Sequence, residues 1–425
     1  MSEDYRAMWE SLGLDLEAHD QLLSALGEGY RQVFLSREGR PRGMEYFDFV
    51  MSEVHGLRIK ELLAAKAEGR KVIGAFCVFV PEELVRATGS ELVGLCAGAD
   101  FAEEEVDRIL PRNTCALIKS AFGFKLGRVC PYVESADLVV GENTCDGKKK
   151  GYELFAELVP QLYVMDLPQM KSEAGRGLLR AEYRRFQERL QELTGVEITA
   201  ERLRRGIQVV NRKRRALARL WSLRRHDPAP ISGLDALLVS QVSFYDDPER
   251  FSGAVEKLCR ELEERVRRGQ GAAPAGSKRV VISGCPMAVP NWKLPAIVEG
   301  AGAVIVGEES CVGERGLRHL VDESPSDRDG LLEAMVERYW QIDCAIFTPN
   351  PQRRRGLQRM VADYQAQGVI HYCLQFCQPY QMEAMLVERE LEAAGIPLLR
   401  VDTDYGQEDV EQLKTRVEAF LEMLG

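Results

Sequence analysis

Histidine is scarce here: the 425 residues include five histidines and eleven cysteines. A site dominated by imidazole is therefore disfavoured, and any metal chemistry falls to thiolate sulfur, the soft ligand of iron–sulfur clusters, zinc and copper(I). No two cysteines stand in C-x-x-C spacing, so a zinc ribbon, a thioredoxin-like redox pair and a ferredoxin-type cluster run all lack their signature. No apolar run approaches the roughly 20 residues of a membrane helix. The opening residues, MSEDYRAMWESLGLDLEAHD, carry mixed charge and no apolar stretch, so neither a secretory signal nor a transit peptide is expected. A cytoplasmic location follows, with no membrane attachment and with thiols kept reduced. The cysteines are then either buried small hydrophobes or ligands of a soft metal centre.

What is present suits an ordinary globular chain. With 45% hydrophobic and 29% charged residues and a net charge of −10, it has material for two or three domains, each with its own core. From Glu17 to about Gly69, apolar residues recur at three and four, which predicts two amphipathic helices. A punctuated α/β pattern follows: strand-like runs KVIGAFC (71–77), ELVGLC (91–96), ADLVVG (136–141) and QLYVMDLP (161–168), separated by helical stretches. Residues 172–268 read as long helices, broken at 227–230 and near Pro248, before the Gly/Ala/Pro-rich linker GQGAAPAGSK. The α/β pattern then resumes with KRVVISGC (278–285), GAVIVGEESC (302–311), CAIFTPN (344–350), GVIHYC (368–373) and IPLLRVDTDYG (396–406), and the chain closes on a helix. The expected architecture is α/β. Two Rossmann-like or flavodoxin-like parallel-sheet domains, 1–170 (including the N-terminal helices) and 276–425, flank a helical segment and linker at 171–275.

The two α/β halves form a pseudo-repeat, and cysteines fall into register with it. Cys77 and Cys285 end the first strand of each half, and Cys96 and Cys311 end the second. Next come Cys115 and Cys344, followed by Cys145 and Cys377. Packing gives no reason for cysteines to collect where strands meet their loops, and in open parallel sheets that edge is where ligands bind. Cys259 and Cys373 have the contexts of packing residues, and Cys77 and Cys96 follow apolar residues directly. Cys115, Cys130, Cys145 and Cys311 lie in polar turn contexts that favour ligation. In VVGENTCDGKKKGYELFAEL a strand delivers Cys145, Gly147 permits a tight turn, and Lys148, Lys149 and Lys150 open a helix. Cations at a helix N-terminus oppose its dipole, so a nearby anionic cluster or phosphate would account for them better than solvent does.

LPRNTCALIKSAFG, CPYVESADLVVGENTCDGKKKGYELFAEL, ISGCP, the turn containing Cys311, LQFCQPYQMEAMLVERELEAAGIPLLRVDTDYG and TRVEAFLEML together resemble the 2-hydroxyacyl-CoA dehydratase superfamily. They are most similar to its double-cubane branch of anaerobic reductases. The resemblance implies a 4Fe-4S cluster on three cysteines, which by motif are Cys115, Cys145 and Cys377. In the double-cubane branch six cysteines hold an 8Fe-9S pair of cubanes. Cys130, Cys311 and Cys344 are the expected further ligands, with Cys285 the nearest rival and Cys77 and Cys96 as further alternatives. The resemblance also implies a homodimer and a separate ATP-hydrolysing iron–sulfur activator that supplies low-potential electrons. The chain itself has no G-x-x-x-x-G-K-[ST] phosphate loop; AFGFKLGR at 121–128 lacks both the spacing and the hydroxyl.

The leading expectation is an oxygen-sensitive iron–sulfur oxidoreductase that reduces a small molecule. The alternatives are a 2-hydroxyacyl-CoA dehydratase subunit, which would act through a ketyl radical on a single 4Fe-4S cluster, and a non-catalytic electron carrier. Lys119, Glu142, Lys148 and Gln375, with Asp146, are candidate polar residues by proximity to ligand cysteines. Between Lys171 and Arg225 there are sixteen Lys and Arg against six Glu and no Asp. Few aromatics interleave them and no binding motif accompanies them, so solvated helix faces or a docking face for an acidic protein fit better than nucleic acid.

Overall fold

A computed structural model describes residues 4–424. Two four-stranded, all-parallel sheets lie at its centre. The first comprises β1 (Val72–Ala75), β2 (Glu91–Gly94), β3 (Leu138–Glu142) and β4 (Leu162–Met165) in the order β2-β1-β3-β4. The second comprises β5 (Arg279–Gly284), β6 (Val304–Glu309), β7 (Gly368–Leu374) and β8 (Leu398–Thr403) in the order β6-β5-β7-β8. The identical order bears out the pseudo-repeat. Central strands β1, β3, β5 and β7 are buried along their whole length, as near-continuous apolar runs covered on both faces require.

Eight of the nine expected strands form. The ninth, CAIFTPN, is a loop between helices Arg328–Trp340 and Pro351–Asp363. Its apolar stretch is short, Pro349 and Pro351 lack the N–H a ladder needs, and Phe347 packs instead against Phe79 and Trp340. The N-terminal expectation is also corrected. In place of two helices there are three, Leu16–Tyr30, Met44–Ser52 and Leu57–Ala67, and the first continues into a π-helical turn at Arg31–Leu35. Gly39 (φ 72°) and Pro41 interrupt the periodicity between the first two.

The helical segment contains Glu173–Thr194, Ala200–Leu223, Gly233–Val242 and Pro248–Arg267. Ser172, Thr199, Ser232 and Asp247 each accept a first-turn backbone N–H, which fixes where the helices start. Gly195, at φ 69°, closes the first. The basic residues here meet carboxylates from elsewhere in the chain: Arg212 pairs with Glu256, Arg219 with Glu263, Arg215 with Glu323 and Arg180 with Glu333. Lys213 and Arg214 are buried against Glu82 and Glu83 of helix Glu82–Ala87. The local excess of positive charge therefore serves largely as intramolecular glue. No helix among the described residues is long and apolar enough to cross a membrane.

The two sheets present their carboxyl ends to each other. Gly98, just after β2, donates its N–H to the Val289 carbonyl at 2.8 Å, in the loop after β5. A Cβ at Gly98 would lie 2.3 Å from the Ala288 carbonyl oxygen, so only glycine allows this approach.

Candidate functional site: a thiol-lined cavity

Between the facing strand ends lies a cavity of about 1000 Å³. Cys77, Cys96, Cys115, Cys145, Cys285, Cys311, Cys344 and Cys377 all line it. The repeat accounts for this convergence. Cys77 and Cys285 follow the central strands β1 and β5, Cys96 and Cys311 follow the edge strands β2 and β6, and Cys145 and Cys377 follow β3 and β7. Both sheets reverse strand order between these central pairs, where parallel sheets open a crevice.

Three of the sulfurs sit at the amide ends of helices. Cys115 precedes Ala116–Leu126, Cys145 precedes Asp146–Leu158 and Cys377 precedes Gln378–Ala393. First-turn N–H groups there lack intrahelical partners and carry the positive end of the dipole, an environment that favours anionic sulfur. The Cys377 thiol is shifted by its neighbours Cys115 and Cys285, and the Cys311 thiol by Cys344. The Leu374 N–H donates to Cys285 Sγ at 3.3 Å and an Arg315 N–H to Cys311 Sγ at 3.5 Å.

Burial pushes the Cys77, Cys96, Cys145 and Cys285 thiols up, Cys96 to about 12. Cys311 goes the other way: the hydrogen bond with Cys344 and the Arg315 guanidinium outweigh burial and hold it below its ordinary value. Among the described residues, no three His, Cys, Asp or Glu side chains close around a single metal ion.

Of the expected ligand set, Cys115, Cys145, Cys311, Cys344 and Cys377 are brought together on the cavity wall. Cys130 does not line it. That residue is buried in the core at the start of the short helix Pro131–Ser135, leading into β3 rather than out of a strand. Its rival Cys285 is on the wall. Cys259 is fully buried in helix Pro248–Arg267 and Cys373 is buried within β7, as packing residues.

Glu142 and Lys148 line the cavity as a contacting ion pair, with the Tyr152 hydroxyl 3.3 Å from Glu142. Burial raises the Glu142 carboxyl above the usual range. Burial pulls the Lys148 ammonium down, but Glu142, Tyr152, Cys77 and Cys96 together raise it above its ordinary value. Asp146 also lines the cavity but pairs outward with Lys149 at 2.8 Å, while Lys150 pairs with Glu153 at 2.7 Å. Only the first lysine of the triplet turns inward. Lys119 and Gln375 lie off the wall. Lys119 pairs with Asp107 at 2.9 Å, and Gln375 is exposed, its backbone carbonyl accepting from the Ala116 N–H at 3.4 Å.

Sequence reasoning missed a buried network behind Cys311 and Cys344 made by Glu309, Arg315, Arg353 and Tyr380. The local signal was Glu309 and Arg315 on either side of Cys311; Arg353 and Tyr380 come from two other segments.

Fold and site together define a class: a duplicated parallel α/β protein that gathers soft sulfur donors at a cleft between paired strand ends. Similarity to known proteins places it more narrowly. The chain belongs to the 2-hydroxyglutaryl-CoA dehydratase, D-component, family, which it matches over residues 77–424. It is 38% identical over 376 residues, 88% of this chain and 96% of the relative, to an Escherichia coli (strain K12) protein named "Putative dehydratase subunit YjiM". The beta subunit of (R)-phenyllactyl-CoA dehydratase from Clostridium sporogenes is 25% identical, with 84% of this chain and 92% of that subunit covered. One of the subunits of benzoyl-CoA reductase from Thauera aromatica is 24% identical, with 75% and 82% covered. The family thus contains components of both dehydratases and reductases.

Proposed function

We propose that this chain is the cluster-bearing component of a low-potential reductase of small molecules. It holds a double-cubane iron–sulfur cluster in the cavity and receives electrons from a separate ATP-hydrolysing iron–sulfur activator. The observation that carries the reading is the number of converging thiols. Eight line one cavity, whereas the single cubane of the resembling enzymes takes three.

The donor set fits such a group: soft thiols, helix amide ends aimed at three of them, and buried cations beside others. The proposed ligands are Cys115, Cys145, Cys285, Cys311, Cys344 and Cys377. Cys285 takes the place expected of Cys130 because it lies on the cavity wall, which Cys130 does not line. Cys96 is left out, since its thiol donates to the Phe76 carbonyl at 2.8 Å. When bound, the cluster would store low-potential electrons beside the substrate. The chain's own groups would do the rest. Lys148 would hold a proton at Nζ at the cavity wall, Glu142 would keep it charged and oriented, and apolar residues such as Val78, Leu117 and Val312 would keep water out.

The second reading, a 2-hydroxyacyl-CoA dehydratase subunit with one 4Fe-4S cluster, draws support from the dehydratase names among the relatives. Anaerobic reconstitution with iron and sulfide quantitation separates the two. About eight irons per chain supports the double cubane and about four the dehydratase. With activator and ATP supplied, reductase turnover supports the first reading. Water loss without net reduction supports the second, and a full cluster with no turnover leaves an electron carrier. Homodimerisation in the cytoplasm belongs to the same proposal, with sedimentation of the loaded protein as its measurement.

A further inference from the structure

The Arg315 side chain is 1% exposed. Its Nη1 donates to Glu309 at 2.8 Å, and its Nη2 reaches the Gly284 carbonyl at 3.0 Å, the Tyr380 hydroxyl and Cys311 Sγ at 3.5 Å. Burying a guanidinium this completely is costly unless its geometry is fixed from several sides. Here it is. Glu309 is held from behind by Ser283 at 2.8 Å and by Arg353 at 2.9 Å, and Arg353 is anchored in turn on Glu383 at 2.5 Å. Both arginines lie over the Tyr380 ring, at 5.3 and 5.1 Å, and the Tyr380 hydroxyl is 3.9 Å from Cys344 Sγ. The fork therefore points at one sulfur and, through Tyr380, toward its neighbour.

The repeat supplies an internal control. Cys96 occupies the position in the first sheet that Cys311 occupies in the second, and its sulfur is a donor, giving its hydrogen to the Phe76 carbonyl. Cys311 is an acceptor from a fixed cation. One copy of the duplicated cysteine donates to a backbone carbonyl and the other accepts from a buried cation.

We propose that Arg315 is a positioning residue that fixes the Cys311 sulfur with a charged donor and makes the Cys311–Cys344 side of the cavity the electron-accepting side. The inference rests on the cluster reading above. A charged donor to a cluster sulfur stabilises the reduced, more negative state, so the geometry sets the potential at that side upward. No residue related by the repeat does this at Cys96.

The test uses the full chain, reconstituted anaerobically, with iron content, electron paramagnetic resonance and redox titration on wild type, Arg315→Gln and Arg315→Lys. Arg315→Gln is expected to keep at least most of its iron and to shift the reduced-to-oxidised ratio at fixed poise about tenfold toward oxidised, equivalent to about 59 mV for one electron. Arg315→Lys keeps the charge but loses the fork, so a smaller shift in the same direction and an altered resonance are expected. If Arg315→Gln does not fold, as circular dichroism would show, the lysine variant decides. A folded, fully loaded variant with the wild-type midpoint and spectrum overturns the proposal. Failure of the underlying reading looks different, because wild type itself would then take up only about four irons per chain, or none.

Discussion

The Glu83 carboxylate is fully buried, accepts from Arg214 Nη1 at 2.6 Å and from the Tyr339 hydroxyl at 2.7 Å, and ties helix Glu82–Ala87 to helix Ala200–Leu223. Arg338 stands close enough to help Arg214 hold this carboxyl below the usual range against its burial, while burial and Arg214 bring Arg338 itself down to about 10. Glu83→Gln removes the carboxylate that two buried guanidinium groups share while keeping the shape. Unit charges about 4 Å apart in an effective dielectric near 20 attract by about 4 kcal/mol. Removing one partner of a buried pair costs about 3–5 kcal/mol in measured cases. Against a typical total of about 5–15 kcal/mol, the loss is large. The assay is urea unfolding of the metal-free protein, followed by tryptophan fluorescence and circular dichroism. Glu83→Gln is expected to lower the midpoint sharply, and Arg214→Met on top of it to recover a good part of the loss, because no buried cation is then left facing Arg338. A single-variant cost below about 1 kcal/mol, or a double variant as unstable as the sum of its parts, would refute the reasoning.

Three further outcomes are expected. Gly98→Ala places a methyl group against the Ala288 carbonyl and should push the sheet edges apart, lowering thermal stability by about 1–3 kcal/mol and reducing cluster uptake, both measured on the same preparation. His371 is buried in β7 with neither ring nitrogen hydrogen-bonded, and burial, then Arg353, lowers its pKa to about 3. Its folded pKa lies below the unfolded value of about 6.5, so the unfolded chain binds the proton first. Stability therefore falls as pH drops from about 6.5 toward 3, by about 2 kcal/mol at pH 5, and His371→Leu should flatten that part of an acid-unfolding curve. Lys148→Met strands Glu142 on the cavity wall and should reduce turnover at least tenfold without altering iron content; equal losses of both would show a structural role instead.

The strands were legible because buried parallel strands leave short apolar runs that loops and glycines interrupt. Where reading failed, long-range packing decided. CAIFTPN has the composition of a strand, yet its prolines and the aromatic contacts of Phe347 make it a loop that still delivers Cys344 to the cavity. Cys130 looks like a turn cysteine before Pro131 but is buried in the core ahead of β3 and does not line the cavity. The repeat already carried the better signal, since Cys285 pairs with Cys77 at the ends of equivalent central strands. Lys148, Lys149 and Lys150 are indistinguishable in the sequence, and only helix phase and Glu142 select the first. Beyond Glu309 and Arg315 beside Cys311, the network could not be read, because Ser283, Arg353, and Tyr380 with Glu383 come from three other stretches of chain.

Everything proposed for the cavity turns on which thiols hold the cluster. Anaerobic iron and sulfide quantitation on Cys285→Ser and Cys130→Ser, each beside wild type, tests it in one experiment. Loss of iron in Cys285→Ser with full retention in Cys130→Ser is the predicted result. Full iron in Cys285→Ser, or a deficit confined to a folded Cys130→Ser, would contradict it.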